Sequence, residues 1–425
     1  MGDNEKILER VLNAYRRQIE DETFNGIKLQ EINDGIDDDS LQGAIVELIR
    51  EGRLEVISSA TQLNPHIKRL PSISSDRQLK SLDVTEKYHT CLYPTTQTIE
   101  DNFDLSFLSG KPFTLALARG SEQLKAEFFE LGVLDRYRLD PRYLFHFSEY
   151  AGQISILSES EKTGPTPERD QISIQTFGLG IDNADDAVVC AFLRYLSGLT
   201  PEHQRHWQSH LSAKPALMHE NYYKPSFLGE VWENKSAIAA IRFSVNSINK
   251  ICNAIWNRPL FLNEVPPDVH YNLSPFMRPT KSDYLSFVLE LDKLVSENLN
   301  PSFFDDKAQA FRLVNHSDGT IERVNKGTLA RLDEWLIGPA LTTADAEELR
   351  KQIIKPLRRV RQERQPAAHT IIKNEFDKRF TLLKRELLLD VAFALGNIFF
   401  ILSKHSGSPT IRVPRWFEKG EIEVF

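Results

Sequence analysis

The stretch LLLDVAFALGNIFFIL, Leu387–Leu402, is a long apolar run near the end of a chain of 425 residues. Asp390 and Asn397 interrupt it, and it is shorter than the roughly 20 apolar residues that a membrane-spanning helix needs. Its length exceeds that of a typical buried strand. We therefore predict a buried helix, which requires other helices around it, and expect no contact with a membrane.

The composition is that of a soluble globular protein, with 41% hydrophobic and 26% charged residues. A chain of this length allows two to four domains. The amino terminus, MGDNEKILER, is charged and lacks the apolar segment of a signal peptide, which predicts a cytoplasmic protein. Cys91, Cys190 and Cys252 are far apart in the sequence and odd in number, as expected for free thiols in a reducing compartment.

The first residues carry helical periodicity, followed by a segment of extended character. One amphipathic helix is predicted over residues 4–20, and another begins at the N-cap Ser40 and ends near Gly52. The order of helices followed by a short hairpin resembles a winged helix, which we assign to residues 3–70 within a domain of residues 1–75. Residues 1–70 hold nine basic and fourteen acidic side chains, 9 − 14 = −5, which favours a protein partner over DNA.

The middle of the chain predicts antiparallel strands. SSDRQLKSLDVTEK, residues 74–87, has the polar composition of a connection. RYLFHFSEYAGQISILSES and QISIQTFGLGI alternate as strands do, with a loop between them, and they define a central domain of residues 76–180. From Asp182 onward, beginning with DDAVVCAFLRYLSGL, we predict helices through the region 181–425. The expected fold class is α+β, mostly α, with a carboxy-terminal helical bundle over about residues 281–405.

The bundle contains a strongly basic segment and a proline. Helices are predicted over residues 282–300, 343–364 and 366–404, the last two meeting at Pro366, and Asp318-Gly319 predicts a hairpin turn. Between residues 350 and 385, twelve basic residues face three acidic ones, 12 − 3 = +9. This segment is where a polyanion such as RNA is expected to bind. The candidate contacts are Arg358, Arg359, Arg361, Lys373, Lys378 and Arg379.

VRQERQPAAHTII, residues 360–372, places Arg364 and His369 on either side of Pro366. Since proline favours the start of a helix, we predict that His369 lies in the first turn of a new helix, where amide groups and the helix dipole attract phosphate. Arg364 is predicted at the end of the preceding helix. An unperturbed histidine with a pKa of about 6.5 is suited to proton transfer from a ribose hydroxyl.

The Arg-x4-His motif in this helical context resembles that of HEPN-domain ribonucleases. The resemblance implies a metal-independent RNA endonuclease without a cofactor, in which Arg364 holds the phosphate, His369 transfers protons and two protomers pair as a homodimer. Gln365 departs from the family, where asparagine, aspartate or histidine more often follows the arginine. The patterns LSGLTPEHQRHWQSH, NYYKPSFLGEVWE and LRRVRQERQPAAH resemble those of long uncharacterised bacterial proteins, which suggests a bacterial origin and an antiviral-defence setting. In such a setting a HEPN-like ribonuclease would be a toxin-like effector.

Two alternatives stay open. Arg205 and His210 repeat the same spacing outside any basic cluster, so spacing alone does not identify a catalytic pair. The basic helices could instead dock nucleic acid or an acidic protein in a non-enzymatic regulator or scaffold, with His369 capping a turn. His203, His206 and His210 share one helix face, but HExxH is absent and no metal is expected.

Overall fold

The computed structural model describes residues 2–32, 35–148, 150–157, 166–230, 235–267, 271–317, 319–339, 342–369 and 373–424. About 49% of the chain is helix and 16% is strand, which confirms the predicted α+β class, with more helix than strand. The chain forms two compact units. The first comprises Met1–His146 and Ala151–Glu230, and the second comprises Phe147–Tyr150 and Val231–Phe425.

The amino-terminal part of the first unit has helices α1–α4 and strands β1–β3. These are α1 Asp3–Asp21, β1 Ile27–Lys28, α2 Leu29–Ile32, α3 Asp38–Arg50, β2 Leu54–Ser58, α4 Ser75–Ser81 and β3 Thr90–Pro94. The apolar stripe of α1 is buried, as its periodicity predicts. The predicted N-cap of α3 was wrong: Asp37 is the cap, and its carboxylate accepts a 2.9 Å hydrogen bond from the amide of Ser40.

The predicted boundary at residue 75 runs through one sheet. Strand β3 lies between β1 and β2, so that Leu92 is paired with both Ile27 and Val56. The segment predicted as a connection contains α4, and Gln78 of this helix is buried. Its side-chain oxygen accepts a 2.9 Å hydrogen bond from the amide of Val56. A polar residue thus satisfies a buried backbone donor, which composition alone does not indicate.

A larger sheet completes the first unit, in the strand order β4-β8-β7-β6-β5 with β9 also paired to β7. The elements are α5 Thr96–Asn102, α6 Pro112–Ala118, β4 Ala126–Phe129, α7 Asp135–Arg138, β5 Tyr143–Ser148, β6 Ala151–Ile156, β7 Ser173–Asp182, β8 Ala187–Phe192, α8 Leu193–Ser197, α9 Pro201–Gln208, β9 Ala216–Met218 and α10 Glu220–Tyr223. Residues 158–165 of the predicted loop lie outside the described residues.

Two predictions for this sheet were wrong. DDAVVCAFLRYLSGL, predicted as helix, holds strand β8, in which Cys190 pairs with Gly178 of β7. Five of the six residues of β8 are buried, so the strand shows no alternation and resembles a buried helix in sequence. RYLFHFSEYAGQISILSES forms two strands, β5 and β6, rather than one. The sheet therefore continues past the predicted domain limit at residue 180.

The second unit is mainly helical. Its elements are α11 Ala237–Trp256, α12 Lys281–Leu294, β10 Phe311–Asn315, β11 Ile321–Asn325, α13 Thr328–Leu336, α14 Thr343–Leu349, α15 Lys355–His369, α16 Arg379–Ser403 and α17 Arg415–Glu418. Helix α16 packs against α11, while α12 packs against α15 and α16. The hairpin of β10 and β11 was predicted correctly, although Asp318 lies outside the described residues.

Helix α15 passes through Pro366, so the predicted junction of two helices there was wrong. The next helix begins only at Arg379, and residues 374–377 run extended beside residues 279–282. Proline removes a single amide donor, and Pro366 lies near the end of α15, so few helical hydrogen bonds depend on it. A π-helical turn, Arg350–Ile354, precedes α15 just before Pro356.

Helix α16 contains the stretch predicted as a buried helix, and its buried face carries Leu387, Leu388, Val391 and Leu395. By length and composition alone this helix could cross a membrane. However, 56% of its most apolar window is buried inside the protein. The buried part of the helix packs against α11, α12 and α15.

Candidate functional site

Arg364 lies on α15 and its guanidinium is held by two carboxylates. Its Nη1 donates a 2.8 Å hydrogen bond to Asp292 near the end of α12, and it also donates to Glu297. The side chain of Asp292 is fully buried, whereas that of Arg364 keeps 29% of its exposure. The hydrogen bonds, first that to Asp292, raise the pKa of Arg364 above its usual range. Arg364 thus joins two helices of the bundle.

His369 is the last residue of α15, and its side chain lies outside the described residues. Arg364 and His369 therefore occupy one continuous helix, and five residues correspond to about 140° around the helix axis. Residues three or four apart would be neighbours on such a surface, whereas residues five apart are not. The predicted placement of His369 in the first turn of a new helix was wrong, and the phosphate site expected from that helix start is lost with it.

Arg359 also serves the contact between helices. It donates to Glu363 on its own helix at 2.8 Å and to Asp390 and Glu386 of α16 at 3.2 and 3.4 Å. Glu363 in turn accepts a hydrogen bond from the hydroxyl of Tyr284 on α12. This network joins α12, α15 and α16, so Arg359 contributes to the packing of the bundle.

Arg358 pairs with Asp333 at 3.2 Å, and the same carboxylate pairs with Arg350 at 2.8 Å. Acidic partners from α12, α13 and α16 therefore surround the basic segment. A charge count along residues 350–385 includes none of these partners, since all of them lie outside the segment. The effective positive charge available to a polyanion is smaller than the sequence predicts.

The segment between α15 and α16 exposes the remaining candidate contacts. We name residues 373–379 the basic loop. Lys373, Lys378 and Arg379 are exposed, and Arg379 pairs with Asp377 at 2.6 Å. Phe376 between them is 72% exposed. Of the six predicted nucleic-acid contacts, these three are exposed and lie within three residues of Phe376 in the chain, and Arg361 is half-buried on α15. The ring of Phe376 was absent from the prediction, although it stands among the basic residues in the sequence.

The histidines of α9 make contacts of structural type. His203 is buried and its Nδ1 lies 2.8 Å from the hydroxyl of Tyr137, while His206 contacts the carbonyl of Val133 at 3.0 Å. Burial lowers the pKa of His203 to about 4. His210 contacts the carbonyl of His206 at 2.9 Å. The described residues contain no group of three side chains that could hold a metal ion.

Lys384 of α16 is one of the twelve basic residues counted between residues 350 and 385, but it is 2% exposed. It donates a hydrogen bond to the carbonyl of Ser274 and lines an apolar pocket. Burial, with a smaller contribution from the charge of Arg385, lowers the pKa of Lys384 to about 7. Its position three and four residues before Leu387 and Leu388 was the available sequence signal, because these three residues share one helix face.

Comparison of the chain with protein-family models, curated proteins and solved structures gave no match.

Proposed function

We propose that the chain is a non-enzymatic regulator or scaffold that binds RNA or a similar polyanion through the basic loop of its second unit. The observation that carries this proposal is the position of Arg364 between Asp292 and Glu297. A guanidinium that stabilises a phosphate must be available to it. Arg364 could turn to a phosphate only by leaving the carboxylate of Asp292 buried and without its ion pair, which is costly.

The basic loop suits a single-stranded nucleic acid. Exposed aromatic rings stack on unpaired bases, and neighbouring lysine and arginine side chains contact the phosphates. Phe376 offers such a ring, and Lys373, Lys378 and Arg379 lie close to it in the chain. Glu375 and Asp377 reduce the net charge, so moderate affinity with a clear dependence on salt is expected.

The amino-terminal part supports a role in protein contacts. Its elements run helix, short strand, two helices, strand, helix and strand. This order is similar to that of a winged helix with α4 added before the last strand. Its acidic charge disfavours DNA, and we propose a protein partner for this part. A bacterial, cytoplasmic setting with a link to antiviral defence belongs to the same proposal.

The test is binding and integrity of a fluorescein-labelled single-stranded RNA, followed by anisotropy at several salt concentrations and by denaturing gel. The wild-type chain is expected to bind the RNA and leave it intact. Phe376→Ala should weaken binding by about 1–3 kcal/mol, the value of one stacked base. Lys373→Ala should lower the salt slope by about 0.7, the value of one single-strand phosphate contact. Lys351→Ala, on an exposed lysine outside the basic loop, is the matched control. Absence of binding by the wild-type chain would refute the proposal.

A HEPN-like ribonuclease is the second candidate, with Arg364 and His369 as the catalytic pair in a homodimer. What favours it is the bundle of α11, α12, α15 and α16, which is the kind of helical setting that the family uses. The same gel decides between the two candidates. Cleavage by the wild-type chain that is lost in His369→Ala would replace the binding proposal by the enzyme.

A further inference from the structure

Lys384 occupies a core position of α16. Leu387, Leu388 and Val391 follow it on the same helix face, and all three are buried. Lysine is rarely found fully buried without a charged partner, because moving an ammonium group out of water is costly. An apolar residue at this position would stabilise the helix more than lysine does. The presence of the amine therefore requires a reason other than stability.

The amine of Lys384 has few partners. It donates to the carbonyl of Ser274, and its Nζ lies 5.7 Å from the centre of the Phe287 ring. Within the described parts of the chain, no carboxylate forms an ion pair with it. The neighbouring charge of Arg385 and the loss of water both favour the neutral amine, in agreement with a pKa of about 7. A neutral amine retains a lone pair and is a nucleophile.

Lys68 of the first unit is also buried, and its amine has the partners expected of a lysine with a structural role. It is 5% exposed, and its Nζ donates to the carboxylate of Glu55 at 2.7 Å. The hydroxyl of Ser72 at 3.3 Å and the carbonyl of Gly120 at 3.1 Å accept its other hydrogen bonds. All three hydrogens thus have acceptors, and the charge has a carboxylate. Among the described residues, Lys384 has one hydrogen-bond acceptor, the carbonyl of Ser274, and no carboxylate partner.

Lys384 lines a small pocket of about 30 Å³ that is partly open to solvent. Most of the lining is apolar, including Phe147, Ile238, Leu388 and Val424. Glu423 also lines it, and its carboxylate accepts a 3.0 Å hydrogen bond from the hydroxyl of Tyr150. An anionic ligand would meet the charge of Glu423, whereas a small neutral molecule fits both the apolar wall and the amine.

We propose that this pocket captures a small apolar aldehyde or ketone as an imine on Lys384. The Nζ lone pair forms a bond to the carbonyl carbon while the carbonyl π electrons move to oxygen. A proton passes from nitrogen to that oxygen, giving a carbinolamine, which then loses water to give the imine. The step involves no oxidation or reduction, and water is its only by-product. The site is separate from the basic loop, so this inference stands independently of the proposed binding of RNA.

The test traps the imine on the full-length chain. The protein is incubated at pH 7 with butanal and sodium cyanoborohydride, which reduces any imine, and the alkylated lysines are identified by peptide mass spectrometry. At pH 7 about half of an amine with a pKa near 7 is neutral, against about one part in 2,500 for an ordinary lysine with a pKa of about 10.4. We expect Lys384 to be alkylated at least 100-fold faster than the exposed Lys351, while the buried Lys68 stays unmodified.

The pH dependence of the alkylation and a variant of Lys384 provide two further tests. In the wild-type chain, alkylation of Lys384 should reach half of its maximum rate near pH 7, well below the pH at which surface lysines react. Lys384→Met, which keeps the volume and the apolar environment, should remove the fast phase of incorporation. Alkylation of Lys384 no faster than that of Lys351, or a fast phase that persists in Lys384→Met, would overturn the proposal.

Discussion

Arg364→Ala tests whether the arginine stabilises the helical bundle or is available to bind the phosphate of a substrate. The substitution leaves the carboxylate of Asp292, which has no solvent exposure, with the hydroxyl of Ser296 as its remaining side-chain donor. Removing one partner of a buried pair costs about 3–5 kcal/mol. Because Arg364 is 29% exposed, we expect the lower end, about 3 kcal/mol. For a unit of this size that loss lowers Tm by about 6–12 °C.

The assay is urea unfolding of the second unit, followed by circular dichroism. Arg358→Ala is the matched control, since its pair with Asp333 is more exposed and should contribute at most about 1 kcal/mol. Adding Asp292→Asn to Arg364→Ala should recover part of the loss, because the substitution removes the unpaired buried charge. A loss in Arg364→Ala no larger than that of the control would refute the structural role and return the arginine to the list of catalytic candidates.

Three more outcomes follow from the same contacts. The pKa of Lys384 falls to about 7 on folding, so the unfolded chain binds more protons than the folded chain between pH 7 and about pH 10. The free energy of unfolding should therefore rise with pH by up to about 1.4 kcal/mol per pH unit. Lys384→Met should abolish this slope in urea unfolding at pH 7, 8 and 9, and equal slopes in the two proteins would contradict the burial of the amine. Pro366→Ala restores an amide donor inside α15 and should stabilise the chain by about 1 kcal/mol in thermal unfolding, whereas a helix junction at this proline predicts no gain. Phe376→Ala should leave Tm unchanged, because its ring is 72% exposed, and a Tm decrease would show that weaker RNA binding reflects damage to the fold.

The sequence predicted the helices whose periodicity is local. The buried faces of α1, α11 and α16 follow from apolar residues three and four positions apart. The hairpin of β10 and β11 follows from its turn residues in the same way. Strand β8 was missed because it is buried almost throughout, and a continuous apolar run carries no period that separates strand from helix.

Charge is where sequence and structure differ most. Twelve basic residues within residues 350–385 are a property of the sequence, and three of them, Lys373, Lys378 and Arg379, are exposed in the structure. The acidic partners of Arg358, Arg359 and Arg364 come mainly from other helices and become neighbours only after folding. Their effect on the site depends on distance and burial, which a linear count does not contain.

Amino-acid identity and spacing determined the helical core of this protein, because a helix face is set by neighbours within one or two turns. The tertiary structure decided which charged side chains are paired or buried. It placed Arg364 between two carboxylates and Lys384 beside an apolar pocket, since both environments are built from residues distant along the chain. An ion pair and a desolvated amine gain their energies from contacts in space, so the chemistry of these two side chains was fixed only when the bundle closed around them.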